Sequence, residues 1–155
     1  MKIKAFLLVI LLFTASIFSQ QIQSPSKFLG YEIGARFTRH HKVVDYFKYV
    51  SSKLPNVQLE KYGETNEHRP LYVSYISSQS NINNIENIRK NNLSQTGIIS
   101  GNKSNNVAIV WLSYNVHGNE ASSTEASMLT LYALVTHKKA WLENTIVIID
   151  PCINP

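Results

Sequence analysis

The chain contains only one cysteine, Cys152, among its 155 residues. A single cysteine cannot form an internal disulfide, so the fold must be stabilised by its hydrophobic core. Cys152 follows an apolar, β-branched run, and the sequence suggests no histidine partner that would activate a thiol nucleophile. We therefore expect Cys152 to be a buried structural residue.

Charged residues are also scarce, at 16% of the chain, whereas 44% of the residues are hydrophobic. This composition excludes a disordered chain and is sufficient for a packed core. The net charge of +5 is spread along the sequence and forms no basic stripe. The charge pattern therefore does not indicate a nucleic-acid partner.

The apolar run at residues 5–18 is shorter than the roughly 20 residues that a membrane-spanning helix requires. It follows Lys2 and Lys4, which is typical of a signal peptide, here residues 1–19. No cysteine follows the run, which excludes a lipid-anchored cysteine at that point. We predict export to the periplasm or the extracellular space, with no stable membrane anchor after cleavage. An uncleaved anchor is the alternative.

The next part of the chain predicts a leading segment and a helix. Residues 20–36 carry proline, glycine and serine and predict an irregular segment. Residues 38–54 place apolar side chains at helical spacing. Thr38 is the expected N-cap of this helix, and Pro55 ends it.

A β-hairpin and a short helix are predicted to follow. Residues 57–62 and 71–76 favour strands, and the turn residues between them make an antiparallel pair the simplest arrangement. Isoleucines recur every three residues within 81–92, which predicts a short helix. Residues 94–106 are expected to form an exposed loop.

The last third of the chain predicts a parallel βαβ unit. Residues 107–112 are a continuous apolar run, as expected for a strand buried on both faces. Residues 120–136 predict a helix with little polar surface, and residues 145–149 a second strand. Two strands joined by a helix indicate an α/β fold with a parallel pair inside a larger sheet.

The turn between this strand and this helix carries His117 and Glu120, three residues apart. Ligands bind at the ends of parallel strands in α/β sheets. Both residue types are normal zinc ligands, and a catalytic zinc ion usually has three protein ligands and one water. We therefore consider His117 and Glu120 candidate metal ligands, with the third ligand expected from a distant part of the sequence.

The same two residues also have an ordinary structural explanation. Asn119 would be a good N-cap, and Glu120 in the first helical turn would favour the positive end of the helix dipole. His117 would then be a loop histidine. A histidine followed three residues later by a glutamate also arises by chance, so the spacing alone leaves both interpretations open.

The order of motifs resembles the zinc carboxypeptidases, also called the M14 peptidases. That family has an apolar strand followed by His-x-x-Glu at the start of a helix, which corresponds here to residues 107–112, His117 and Glu120. Downstream, the family has Asn-Pro after the next strand, matched here by Asn154 and Pro155.

Upstream, the family has a glycine in the hairpin and then Glu-Gly-Arg before a strand. This sequence has Gly63 and then Glu67-His68-Arg69, so a histidine replaces the family glycine. A second departure is Asn119, where several digestive-type members have an arginine that helps to bind substrate. The three matches cover nearly all of residues 37–155.

The resemblance implies an α/β fold with a mixed central sheet flanked by helices. Residues 37–155 would be the N-terminal part of the catalytic domain, truncated after its first parallel βαβ unit. His117 and Glu120 would be ligands of one zinc ion. The third histidine ligand, the substrate-binding arginines and the glutamate general base come later in the family pattern, so no catalytic residue is expected within this chain.

The implied function is hydrolysis of C-terminal peptide bonds, in peptides or in cell-wall peptides, by a zinc-activated water. This chain alone is expected to be inactive. One alternative is a non-catalytic envelope-binding domain of the same fold, because two ligands do not make a catalytic zinc site. The other is a zinc-dependent amide hydrolase that removes an acyl group from an amino acid. Substrate-binding residues and oligomeric state are not indicated.

Overall fold

The computed structural model describes residues 21–101, 103, 106–120 and 122–155. The signal peptide predicted for residues 1–19 lies outside the described residues. Across these ranges no helix has both the length and the apolar character to cross a membrane. The described chain forms one mixed sheet with helices packed against it, which confirms the fold class predicted from the sequence.

The leading segment is more ordered than the sequence predicts, because it contains a short helix, α1 (Pro25–Leu29). The Ser24 hydroxyl caps this helix by accepting a hydrogen bond from the Lys27 N–H. Gly30 ends it at φ 75°, a left-handed conformation that glycine adopts at little cost. Phe28 packs edge-on against Tyr46 at a centroid distance of 5.2 Å, which anchors the segment to the core.

Helix α2 (His40–Lys53) begins two residues later than predicted. Arg39 occupies the N-cap position and makes no side-chain capping bond, so the prediction that Thr38 caps the helix is wrong. The Thr38 hydroxyl instead donates to a buried carboxylate on a distant helix. The buried face of α2 consists of apolar and aromatic residues: Val43, Val44, Tyr46, Phe47 and Val50.

Strands β1 (Val57–Glu64) and β2 (Pro70–Ile76) form the predicted antiparallel hairpin, and β1 is longer than the sequence indicates. The turn between them holds His68 at φ 58°. This is the left-handed region that glycine adopts most easily. The turn therefore keeps a glycine-like backbone although a histidine replaces the glycine of the resembled family.

The predicted short helix is divided into two, α3 (Gln79–Asn83) and α4 (Ile85–Gln95). Asn84 separates them. The side chains of Ile82 in α3 and Ile88 in α4 are buried. The exposed loop predicted from residue 94 starts only after α4 has ended.

Strands β3 (Ala108–Ser113) and β4 (Thr145–Asp150) pair in parallel, which confirms the predicted βαβ unit. Helix α5 (Ser122–Thr136) and a 3-10 helix (Lys139–Glu143) connect them. Strand β4 also pairs antiparallel with β2, so the strand order is β1-β2-β4-β3.

The prediction that residues 107–112 form a strand buried on both faces is wrong. Val110 is 40% exposed and Trp111 is 65% exposed. The reason is position, since β3 is the last strand in the order and, within the described chain, is hydrogen-bonded only to β4. A continuous apolar run identifies the strand but cannot show how many neighbours cover it.

The hydrophobic core lies between the sheet and helices α2 and α5. Helix α5 is largely buried, as predicted, although it begins at Ser122 rather than at residue 120 and leaves Leu129 45% exposed. Its core side chains pack with those of α2 and β4 and include Met128, Leu131, Leu134 and Val135.

Candidate functional site

The turn after β3 starts at the carboxyl ends of the two parallel strands. The Tyr114 N–H donates to the Asp150 carbonyl, which extends the β3–β4 ladder by one bond. In return, the Ile153 N–H donates to the Tyr114 carbonyl, so the segments that leave the two strands remain together. Strand ends of this kind are where α/β sheets form ligand sites.

His117 and Glu120 lie next to each other in this turn. Nδ1 of His117 is 3.2 Å from Oε2 of Glu120, and the Glu120 N–H donates to the His117 carbonyl at 2.9 Å. Both side chains are open to solvent, with 70% and 63% exposed. Two donor atoms can therefore reach the same point in solvent without a change in the backbone.

This donor separation fits two ligands of one zinc ion. Ligands about 2.0–2.1 Å from a tetrahedral zinc are about 3.3 Å apart. The same distance also falls within the range of an ordinary contact between an imidazole and a carboxylate, so it does not by itself require a metal. The nitrogen and the carboxylate oxygen are normal zinc donors, so the pair supplies two of the three protein ligands that a catalytic site requires.

The third ligand is not supplied by the described residues. Within residues 21–101, 103, 106–120 and 122–155, no group of three or more histidine, cysteine, aspartate or glutamate side chains could hold a metal ion. The structural explanation of the motif places Asn119 at the N-cap of α5 and Glu120 in its first turn. This placement is wrong, because α5 begins at Ser122 and both residues lie in the turn before it.

Asn115 joins this turn to the segment after β4, a role that the sequence did not reveal. It is 4% exposed and has φ 55°, a conformation that asparagine tolerates better than most residues. Its side-chain amide donates to the Asn154 carbonyl at 2.8 Å and contacts Sγ of Cys152 at 3.2 Å. Its own N–H donates to the Ser123 hydroxyl at 2.8 Å.

Gly118 lies where the two loops touch. A Cβ atom on this residue would be 2.8 Å from the Asn154 carbonyl oxygen, closer than real side chains approach. The Asn154 side chain also donates to the Val116 carbonyl at 3.2 Å. The Asn-Pro motif after β4 therefore packs directly on the turn that carries the candidate ligands. The sequence signal that could have indicated this close contact is the glycine between the two candidate ligands.

A buried polar cluster lies beneath the turn. Asp150 is 2% exposed, and its carboxylate accepts from the Tyr62 hydroxyl at 2.6 Å and from the Cys152 N–H at 3.3 Å. Burial raises the pKa of Asp150, and these two hydrogen bonds oppose the rise. Burial is also the main reason why the pKa of Tyr62 is raised, with its hydrogen bond to Asp150 adding to the effect.

Cys152 is 3% exposed, which confirms the prediction that it is buried. Burial raises the pKa of its thiol to about 11, although the hydrogen bond from Asn115 acts in the opposite direction. A thiol with this pKa is neutral near pH 7 and is a poor nucleophile. The cysteine therefore fills space beneath the turn.

Glu125 holds the leading segment against helix α5. It is 6% exposed, and its two carboxylate oxygens accept from the Thr38 hydroxyl at 2.5 Å and from the Gly34 N–H at 2.7 Å. A buried carboxylate needs such donors, because desolvation without them is costly. This contact spans 87 residues of sequence and fixes the start of α2, and nothing in the sequence pattern indicated it.

A cavity of about 630 Å³ opens beside the candidate ligands. Asn115 and Gly118 contribute to its wall, so it is continuous with the turn that carries His117 and Glu120. Its other walls come from the start of α2, the β1–β2 turn and the segment after β4. The side chains that give it polar character are Arg39, His40, His41, His68 and Arg69.

The His40 side chain lies close to the Pro70 backbone, where two of these walls meet. Its pKa is lowered, first by burial and then by the positive charges of Arg69 and His41. The fifth histidine, His137, lies at the opposite end of α5 and packs edge-on against Tyr132. It is therefore separate from the site.

Comparison with known proteins connects this geometry to a family. A family model described as zinc carboxypeptidase matches residues 43–155. Carboxypeptidase A from Helicoverpa armigera superimposes with a TM-score of 0.61 at 17% identity, over 91% of this chain and 29% of that chain. No match was found among the curated proteins.

Two further structures resemble the chain at similar levels. Bovine thrombin-activatable fibrinolysis inhibitor, in complex with tick carboxypeptidase inhibitor, gives a TM-score of 0.53 at 16% identity, over 77% of this chain and 31% of that chain. Another structure of thrombin activatable fibrinolysis inhibitor gives 0.56 at 14% identity, over 88% and 31%. The chain thus spans about a third of the length of these proteins.

Proposed function

The chain belongs to the zinc carboxypeptidase family, and on this basis we propose that the full-length protein hydrolyses C-terminal peptide bonds in a zinc-dependent reaction. The supporting observation is the contact between His117 and Glu120, whose donor atoms are 3.2 Å apart at the carboxyl ends of two parallel strands. Substrates would be peptides or cell-wall peptides, met outside the cytoplasm if residues 1–19 direct export.

In this proposal, Nδ1 of His117 and Oε2 of Glu120 hold the zinc ion together with a ligand from outside the described residues. When bound, zinc lowers the pKa of water to about 7 and polarises a carbonyl oxygen. Asn115 and Asn154 fix the turn, so the two ligands keep their separation. Gly118 lets the neighbouring backbone approach the turn closely, which leaves the solvent side free for a peptide.

The zinc content of the full-length protein tests the ligand assignment. We expect one zinc per molecule in the unsubstituted protein and at least about a 100-fold loss of affinity in both His117→Ala and Glu120→Ala, since even residues that only orient ligands account for 10- to 100-fold. His137→Ala is the matched control, because this exposed histidine lies at the far end of α5. Zinc binding that is unchanged in both variants would contradict the assignment.

The activity itself needs a separate measurement. A carboxypeptidase releases the last residue from a peptide with a free C-terminus, loses this activity in a chelator, and leaves a peptide with an amidated C-terminus intact. A folded full-length protein that binds peptides but neither holds zinc nor cleaves them would support the non-catalytic envelope-binding alternative. Release of an acyl group from a single acylated amino acid would support the amide hydrolase alternative.

A further inference from the structure

The cavity beside the candidate ligands is lined by basic side chains from two separate parts of the chain. Arg39, His40 and His41 come from the start of α2, whereas His68 and Arg69 come from the β1–β2 turn. Among the described residues that line the cavity, none is an aspartate or a glutamate. The composition of the wall therefore favours an anionic ligand.

The α2 side of the cavity carries an arginine that forms no ion pair with an acid of the described chain. Within the described chain, the Arg39 side chain takes part in no ion pair or hydrogen bond, and the first turn of α2 contains no acidic residue. The free N–H groups at this helix end add partial positive charge in the same place. An anion entering the cavity would therefore meet a guanidinium that is not already paired.

On the hairpin side of the cavity, acidic residues partly neutralise the basic side chains, but these acids do not line the cavity. Arg69 forms an ion pair with Glu67, and His68 contacts Glu64 at 3.4 Å. The positive charge of Arg69 is nevertheless felt inside, because it contributes to the lowered pKa of His40. The balance of charge in the cavity remains positive, and Arg39 provides the largest unpaired share.

The position of the cavity determines which part of a peptide could reach it. Asn115 and Gly118 line the cavity, and Gly118 lies between His117 and Glu120 in the turn. A peptide whose scissile carbonyl lies at these two residues would place a neighbouring side chain in the cavity. A volume of about 630 Å³ is within the range of small-ligand pockets and accommodates an extended acidic side chain.

We propose that this cavity binds the carboxylate of an acidic side chain in the peptide substrate, with Arg39 as its main charged partner. The proposal rests on the proposed peptidase function, since it places the peptide relative to His117 and Glu120. An arginine and a carboxylate form strong, paired hydrogen bonds, and the histidines supply further N–H donors. The site would therefore select peptides with glutamate or aspartate close to the cleaved bond.

The test uses the full-length protein without metal and peptides that are acetylated and amidated, so that a side chain provides the only carboxylate. Two peptides differ only in having glutamate or glutamine, and their affinities are measured by fluorescence anisotropy at low salt. We expect the glutamate peptide to bind about tenfold more tightly. In Arg39→Gln the preference should fall about fivefold, whereas Lys42→Gln should keep it. Lys42 is exposed on the same helix and does not line the cavity.

Equal affinity for the two peptides would overturn the proposal, as would a preference that survives Arg39→Gln. Tighter binding only when the C-terminus is left free would also overturn it, since the cavity would then read the terminal carboxylate. Because metal is absent, failure of the zinc assignment leaves this result unaffected. Conversely, an active enzyme without acidic preference would retain the proposed function and contradict this inference alone.

Discussion

The side-chain amide of Asn115 donates to the backbone carbonyl of Asn154 across 2.8 Å and so joins the loop after β3 to the loop after β4. Each residue follows one strand of the parallel pair, and the two lie 39 positions apart in the sequence. The bond holds the turn with His117 and Glu120 against the segment that follows β4. The geometry of the candidate ligands therefore depends on residues that never contact a metal.

Replacement of Gly118 tests this dependence directly. In Gly118→Ala the new Cβ would lie 2.8 Å from the Asn154 carbonyl oxygen, and backbone atoms cannot yield as a flexible side chain can. We expect a loss of about 1–3 kcal/mol in the free energy of unfolding, together with weaker zinc binding. Denaturant unfolding and zinc titration of the full-length protein measure both effects.

Gly63→Ala is the control for that experiment, because a Cβ at Gly63 meets no atom within 4 Å and the residue does not have a positive φ. Its stability should change by no more than about 0.5 kcal/mol. If Gly118→Ala behaves like Gly63→Ala in both measurements, the close contact with Asn154 does not constrain the turn.

Glu125 is expected to contribute to stability as a buried acceptor. In Glu125→Leu both carboxylate oxygens are lost, so the Gly34 N–H and the Thr38 hydroxyl lose their acceptor. A buried donor left without an acceptor costs about 1–3 kcal/mol. Thermal or urea unfolding should show this loss, while Glu143→Leu, at an exposed position, should remain within about 0.5 kcal/mol. Equal stability of the two variants would argue against a structural role for Glu125.

Asp150 is expected to make stability depend on pH. Its pKa is raised in the folded state by burial, so the folded protein binds this proton more tightly than the unfolded chain. Above the ordinary value of 3.8, the unfolded chain loses the proton first, and the contribution of Asp150 to stability falls as the pH rises toward the folded-state pKa.

The variant Asp150→Asn removes this titration while retaining a polar side chain for Tyr62. Relative to Asp150→Asn, the unsubstituted protein should therefore lose stability as the pH rises from about 4 toward neutrality. Urea unfolding at several pH values checks the slope of the difference. If the unsubstituted protein instead gains stability relative to Asp150→Asn as the pH rises, the hydrogen bonds from Tyr62 and Cys152 outweigh burial.

The thiol of Cys152 should be chemically inert in the folded protein. It is 3% exposed, and its pKa is raised to about 11, so little thiolate forms and reagents cannot reach it. Alkylation at pH 8, followed by peptide mapping, should leave Cys152 unmodified until denaturant is added. Rapid labelling without denaturant would mean that the segment after β4 opens readily.

Local sequence signals predicted much of this fold. Helical spacing identified α2, the β-branched runs identified β4 and the hairpin, and the strand-helix-strand order gave the parallel pair. Boundaries were less accurate where a distant partner competes, as at Thr38, whose hydroxyl binds Glu125 instead of capping α2. No local pattern can reveal a contact across 87 residues.

The candidate site shows the same division. The spacing of His117 and Glu120 predicted that both could bind the same metal ion, and their donor atoms do lie together. Their metal binding stays a prediction. The roles of Asn115 and Gly118 could not be predicted, because each depends on the path of the segment after β4. The basic cavity was also missed, since Arg39 and Arg69 are brought together only by the packing of α2 beside the hairpin.

The exposed edge of the sheet has a spectroscopic consequence. The chain has two tryptophans, Trp111 on β3 and Trp141 in the 3-10 helix, and both are more than 60% exposed. Indole fluorescence from this chain therefore reports on its surface and changes little when the core melts. Any further segment that covers β3 would transfer Trp111 from water to an apolar environment and shift its emission to the blue, so one residue can report how the edge strand is covered.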